Sequence, residues 1–271
     1  MTSYIAAYDT ENPLCPAACR MIVAMHRRHQ MPATFFIVGK ALLANAKEYR
    51  ELLDDPLFEV ASHTWSHRML RDHPWCGAAP DADGVREEIF RGKQAIEDVF
   101  ERPCVGLRPG CGFVDGLTGA PQVLSWVNEA GFRYVSGQLW GPEYSMPAPL
   151  SQPYRYEGFP NLWELPGHGW HENLLKNHNR WGAKRLMLWP QPFPEAIPAS
   201  FLKTPEDETA VNRIFIERAQ RDNLNFVSLI WHPWSLAKFD PEMRMLDQTF
   251  TLVKSLGLRT TTYAGLLASI G

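Results

Sequence analysis

The chain has 271 residues, of which 45% are hydrophobic and 21% charged, with a formal net charge of −3. This composition suits one large folded domain and excludes a disordered chain, a collagen, a coiled coil and a disulfide-dense miniprotein. The near-neutral balance also argues against nucleic-acid binding through a broad basic face.

In chain order, Tyr4 to Tyr8 is a short apolar run that ends on Asp9. Leu14 to His29 has helical periodicity, with Met21, Ile22 and Met25 apolar. Ala33 to Val38 reads as a buried strand closed by Gly39. Lys40 to Leu53 reads as one helix, and Phe58 to Ala61 as a strand leading into Ser62-His63. Val85 to Phe100 places Val85, Ile89 and Ile96 on one helical face. Val105 to Leu107 is a strand preceding Arg108-Pro109-Gly110. Gln122 to Ala130 is a helix stopped by Gly131, and Tyr134-Val135 opens another strand.

The rhythm then breaks. Residues 139–201 are rich in aromatics and proline, with Leu162 to Leu165 as the strand candidate. A long stretch of this kind inside a compact domain is usually functional, and its aromatic content argues against disorder. It reads as an insertion that walls one side of a site. Pro205 to Gln220 is a helix with Glu206, Asp207 and Glu208 in its first turn, where acidic groups suit the helix dipole. Phe226 to Trp231 is a buried strand ending at His232. Pro241 to Leu256 reads as a helix and Arg259 to Tyr263 as a last strand.

Alternating strands and helices predict parallel βαβ units with helices outside the sheet, in a single domain spanning 1–271. In such folds chemistry sits at the carboxyl ends of strands. Asp9, His63, Arg108 and His232 all fall there.

Five cysteines cannot all pair, and Cys15 and Cys19 sit four apart among apolar neighbours. All five are expected to be reduced thiols. The N-terminal MTSYIAAYDTEN lacks a basic n-region and a long apolar segment, and no window reaches ~18 uninterrupted apolar residues. A cytoplasmic protein with no membrane partner is the expectation, and a homo-oligomer is compatible with it.

The strongest local signal is Ser62-His63-Thr64-Trp65-Ser66-His67. Two histidines four apart can share one side of a helical turn, and neutral imidazole is the commonest metal ligand near pH 7. Asp9-Thr10-Glu11 supplies two carboxylates, one to bind a cation and one to take a proton. Arg108 can fix a carboxylate. Each piece alone also fits a plain reading: a core histidine, a solvated turn, or a surface arginine before a Pro/Gly turn.

Taken together and in this order, S-H-x-x-S-H, the Arg108 to Gly112 segment (similar to R-x-P-x-G) and a strand ending in His232 resemble the polysaccharide deacetylase family, carbohydrate esterase family 4 with the NodB-homology fold. The resemblance implies a distorted (β/α)7-type barrel and removal of an acyl group from an amide, most often on an N-acetyl sugar. It implies His63 and His67 as ligands of a divalent metal, most suitably zinc. The family's common turn has adjacent Asp residues as base and ligand. Asp9-Thr10-Glu11 departs from it and is similar to a D-x-E branch, which makes Asp9 the base and Glu11 the third ligand, with the reverse assignment open. By the same analogy Arg108 holds Asp9, and His232 protonates the leaving amine. The family's Asp–Trp motif that orders the arginine and the distal histidine has no match after Gly131, and Glu164 is the substitute that the sequence offers. Trp65, Trp140, Trp163, Trp170 and Trp234 are candidates for stacking a sugar or another flat group, and His168 and His171 for reaching the site. The substrate is a carbohydrate or a small molecule. Two alternatives are a cyclic-amide or ureide hydrolase of the allantoinase type, working without a metal, and a sugar-binding pseudoenzyme.

Overall fold

In the computed structural model, which describes residues 2–178 and 192–271, the N-terminal apolar run forms β1 (Ser3–Thr10). It is buried along its whole length, as expected of a strand covered on both faces. It pairs in parallel with β2 (Ala33–Ile37) and, on the same side nearer its start, with β9 (Arg259–Thr260); β8 (Phe226–Trp231) pairs along its other side. Beyond β2 follow β3 (Phe58–Ser62), β4 (Gly106–Leu107), β5 (Tyr134–Val135), β7 (Trp163–Glu164) and β6 (Tyr154–Arg155). Every pairing is parallel except that of β6 with β7.

The result is a mostly parallel, curled sheet with helices outside it, a half-barrel built on one hydrophobic core. The end strands β6 and β8 do not pair with each other. The chain after β7 spans the gap instead: Gly167 N–H donates to the Gln138 carbonyl at 3.0 Å, and His168 N–H to Ser228 Oγ on β8 at 3.0 Å.

The helices follow the apolar periodicity, with different breaks. Helix α1 (Cys15–His29) carries Pro16 in its first turn and ends on a left-handed Gln30. The expected single helix over 40–53 is two, α2 (Gly39–Ala44) and α3 (Ala46–Leu53), because Asn45 leaves helical geometry at φ −139° and ψ 33°. Helix α4 (Ala82–Phe100) is capped by Asp81, whose side chain accepts from Gly84 N–H. Helices α5 (Pro121–Glu129), α6 (Glu172–Leu175) and α7 (Pro205–Arg221) follow, the last with a Thr204–Asp207 capping box.

The C-terminal expectation needs correcting. The helix expected from Pro241 to Leu256 starts later, as α9 (Arg244–Ser255), since Met243 takes a left-handed conformation, and a helix that the sequence reading did not include, α8 (Pro233–Phe239), precedes it. Tyr263 does not end a strand but begins α10 (Tyr263–Ile270), which Thr262 caps. A second correction concerns the cysteines. Cys76 and Cys111 form a disulfide, while Cys15, Cys19 and Cys104 are free and buried. Of the aromatic insertion at 139–201, residues 179–191 lie outside the described residues. No described helix is long and apolar enough to cross a membrane.

Candidate active site

The register of the sheet explains why far-apart residues meet. Tyr8 pairs with Trp231, Asp9 with Phe36, Ile37 with Ser62, and Ser62 with Leu107. The carboxyl ends of β1, β2, β3, β4 and β8 therefore stop at one level. Asp9, Glu11, His63, Arg108 and His232 lie at or just beyond those ends. Asp9, Glu11, His63, His67 and His232 line one cavity of about 200 Å³, together with Cys111, Leu139, Trp170, Asn173 and Trp234.

Ligand atoms of Glu11, His63 and His67 lie within 4.8 Å of one another. His63 is buried and its Nδ1–H donates to the Arg108 carbonyl at 2.9 Å, which leaves Nε2 as the free lone pair. Burial lowers its pKa to about 4, against the raising effect of Asp9 and Glu11, so the ring is neutral at pH 7. His67 Nε2 lies 3.2 Å from Glu11 Oε2. Two imidazoles and a carboxylate at this spacing fit a divalent cation.

The histidine pair does not ride on a helix. Residues 63–67 form a loop in which Thr64 and His67 both have φ of 65°. Neighbouring elements hold this loop in place of a helix. Thr64 Oγ1 accepts from His67 N–H at 3.0 Å. The buried Glu88 of α4 accepts from Ser66 N–H at 2.7 Å, Ser66 Oγ at 2.5 Å and Arg68 Nε at 2.8 Å. Gly92 lets α4 approach closely, since a Cβ there would lie 2.7 Å from the Thr64 carbonyl carbon.

Asp9 is held by Arg108. Its Oδ1 accepts from Arg108 Nη1 at 2.6 Å, and Arg108 is fully buried. The Arg108 Nη2 donates to Ser136 Oγ at 2.9 Å and to the Tyr263 hydroxyl at 3.1 Å, and its guanidinium stacks 3.8 Å from the Phe36 ring centroid. Burial raises the Asp9 pKa, but Arg108, His63 and His232 outweigh it and hold the carboxyl below its ordinary value.

His232 is held by a residue that the sequence did not suggest. Glu172, at the start of α6, accepts from both the ring Nδ1–H and the backbone N–H of His232, each at 2.8 Å. Burial lowers the His232 pKa, yet the Glu172 hydrogen bond and the charges of Glu11, Glu172 and Asp9 raise it to about 9. Behind Glu172, the buried Lys176 Nζ lies 3.3 Å from Glu172 Oε2 and 2.8 Å from Glu208 Oε1.

Glu164 is placed elsewhere. It is buried under the sheet end, where its Oε1 accepts from Gly137 and Gln138 N–H at 2.7 and 2.9 Å and its Oε2 from the Tyr156 hydroxyl. It does not line the cavity and bonds neither Arg108 nor His232. The carboxylate on His232 is Glu172. The sequence marks Glu172 only by its place after His168 and His171 in Gly167-His168-Gly169-Trp170-His171-Glu172.

Among the tryptophans, Trp170 and Trp234 line the cavity, and Trp234 Nε1 donates to Glu11 Oε1 at 3.4 Å. The other three do not. Trp65 packs on Gly39 under the Arg91 guanidinium. Trp140 is buried between His73 and Trp170. Trp163 lies under Arg155 on the far edge of the sheet. His168 and His171 are buried against Phe226 and Phe215 and do not line the cavity either. Asn173 does line it, and its buried Oδ1 has no hydrogen-bond partner among the described residues.

Residues 7–135 match the family model described as polysaccharide deacetylase. A curated relative, a chitooligosaccharide deacetylase of Rhizobium leguminosarum bv. phaseoli, is 35% identical over 69 residues, which are 26% of this chain and 29% of that protein. The match thus spans under a third of the relative's length. The solved structure of Puue allantoinase superposes with a TM-score of 0.67 at 13% identity, covering 98% of this chain and 88% of that one. A mutant of BA3943 of Bacillus anthracis, described as a CE4 family pseudoenzyme with restored enzymatic activity, gives a TM-score of 0.58 at 16% identity, with 98% and 68% covered. At these identities the structural likenesses speak to the fold.

Proposed function

Residues 7–135 match the polysaccharide deacetylase family model, and from that premise we propose that the chain is a member of that family, a metal-dependent hydrolase that removes an acetyl group from an amide, with an N-acetylated sugar as the substrate class. The observation that carries this reading is the convergence in one cavity of the Glu11–His63–His67 cluster, Asp9 fixed by Arg108, and His232 fixed by Glu172.

Glu11, His63 and His67 would hold the cation, with zinc the best match and iron, cobalt or nickel fitting the same donors. When bound, such an ion acidifies water and polarises a carbonyl. Asp9, ionised beside Arg108, takes the proton from the attacking water. The Cys111 N–H, which has no protein acceptor among the described residues, is the backbone donor on the cavity wall suited to the acyl oxygen. His232, doubly protonated against Glu172, gives its Nε2 proton to the departing amine, which leaves poorly as an anion. Trp170 and Trp234 offer flat faces to a ring, and Asn173 Oδ1 an acceptor for a hydroxyl or amide N–H.

The cavity of about 200 Å³ is smaller than the ~300–1,000 Å³ of drug-sized sites. That size supports entry of one sugar unit and its acyl group. It also favours the second reading, a cyclic-amide hydrolase of the allantoinase type, to which the likeness to the allantoinase fold lends weight. Acetate release from N-acetylglucosamine and from short N-acetylated chitooligosaccharides, with zinc and with a chelator, tests the first reading. Expected are chelator-sensitive release and a drop in kcat of about 10²–10⁴ for Asp9→Asn. Turnover of allantoin that survives chelation would transfer the assignment to the second. Sugar binding without turnover under any metal would mark a pseudoenzyme.

A further inference from the structure

The turn that carries Cys111 adopts a conformation that its own sequence does not favour. Cys111 and Gly112 are consecutive left-handed residues, with φ of 59° and 64°. For a residue with a side chain that region is disfavoured, so something outside the turn must hold it.

Two contacts from outside do so, beside the turn's own hydrogen bond. Gly112 N–H donates to the Gly110 carbonyl at 2.7 Å, and Trp140 Nε1 donates to the Cys111 carbonyl at 2.7 Å. The Cys111 side chain is bonded to Cys76, 35 residues away in the loop between β3 and α4. Cys76 is itself fixed. His73 Nδ1 accepts from the N–H groups of Trp75 and Cys76 at 3.0 and 3.1 Å, and the His73 ring lies 5.1 Å from Trp140. The bridge and the tryptophan therefore close a ring of contacts, His73–Cys76–Cys111–Trp140, around one peptide unit. With its carbonyl and its side chain both taken, Cys111, which lines the cavity, keeps an N–H with no protein acceptor among the described residues. Gly110 packs in the same turn against His67, with a Cβ there meeting His67 Cε1 at 3.2 Å.

We propose that the Cys76–Cys111 disulfide is a positioning element of the site: Cys76 acts through Cys111 to hold the 110–112 turn, with its N–H available to the acyl oxygen, so that breaking the bridge costs turnover rather than binding. This rests on the deacetylase reading for its catalytic part. A phosphine reductant, TCEP, opens the bridge by taking up one oxygen from water: one disulfide, one phosphine and one water give two thiols and one phosphine oxide.

The test uses the full chain at saturating zinc. Thiols titrated in denaturant rise from three to five on reduction. At five thiols, kcat for acetate release falls about tenfold or more, short of or within the ~10²–10³ attached to one oxyanion donor, while KM stays within about twofold. Reoxidation with oxidised glutathione restores it. Cys76→Ser shows the reduced behaviour and no response to TCEP, whereas Cys104→Ser, which alters a free thiol outside the cavity, keeps both the activity and the response. Amide hydrogen exchange of the peptide over residues 106–113 is measured on the same samples without substrate, and speeds up on reduction. Unchanged kcat at five thiols, or unchanged exchange, overturns the proposal, as does a purified oxidised protein with no bridged peptide in non-reducing mass spectrometry. If no acetylated substrate turns over at all, the deacetylase reading fails separately and the exchange result still decides whether the bridge holds the turn.

Discussion

At the scale of single residues, the site works by setting pairs of ionisable groups against their burial. Asp9 and His232 are both enclosed, and burial alone would neutralise each. Arg108 keeps the first ionised and Glu172 keeps the second protonated. A general acid acts in its protonated form, so activity should fall as pH rises through about 9, the His232 value. Glu172→Gln removes the partner charge and leaves burial to pull the histidine down. The alkaline limb of kcat against pH should then move to lower pH, and an unmoved limb would separate Glu172 from the acid role. The same linkage acts on stability: with the folded pKa above the unfolded ~6.5, proton binding by His232 stabilises the fold below that value, and the contribution disappears as pH rises through about 9. Asp9, His63 and His232 were legible in the sequence because each follows an apolar run, and Glu11 and His67 because they lie two and four residues beyond Asp9 and His63. Glu172 was not legible, because its α6 is four residues long and lies in a stretch with no periodicity.

At the scale of elements, the His63–His67 loop depends on α4. Two left-handed residues in five cannot be expected to persist without support, and Glu88 and Gly92 supply it. Gly92→Ala pushes a methyl into the loop backbone and should destabilise by about 1–3 kcal/mol, read as a lower midpoint in urea with an unchanged m-value. Zinc affinity should weaken with it, since the two imidazoles would shift. A Gly92→Ala protein with the wild-type midpoint would show that the loop has room to move. The break between α2 and α3 was illegible for a related reason. Asn45 leaves helical geometry where the apolar pattern runs on, and no proline forces the break there. Its conformation answers to what α2 and α3 must pack against.

At the scale of the whole molecule, the half-barrel brings residues 9, 63, 108 and 232 to one sheet edge, and a ligand held there should tie the sheet together. Zinc binding to the folded chain alone raises stability by RT ln(1 + [L]/Kd), about 2.7 kcal/mol at a hundredfold excess over Kd. A zinc-dependent rise in Tm that His63→Ala abolishes is the expected outcome, and equal Tm with and without zinc would remove the cation from the cluster. What the sequence by itself determined was the alternation of strands and helices, the parallel pairing that this alternation implies, and the residue types at strand ends, because periodicity and residue chemistry are local properties of the chain. Only the tertiary structure decided which candidates face the cavity. It turned Trp170 and Trp234 in and Trp65, Trp140 and Trp163 away, gave His232 to Glu172 instead of Glu164, and joined Cys76 to Cys111. The reason is physical: a side chain's direction and partner depend on register and on loops packed from other parts of the chain, and no stretch of sequence carries that information alone.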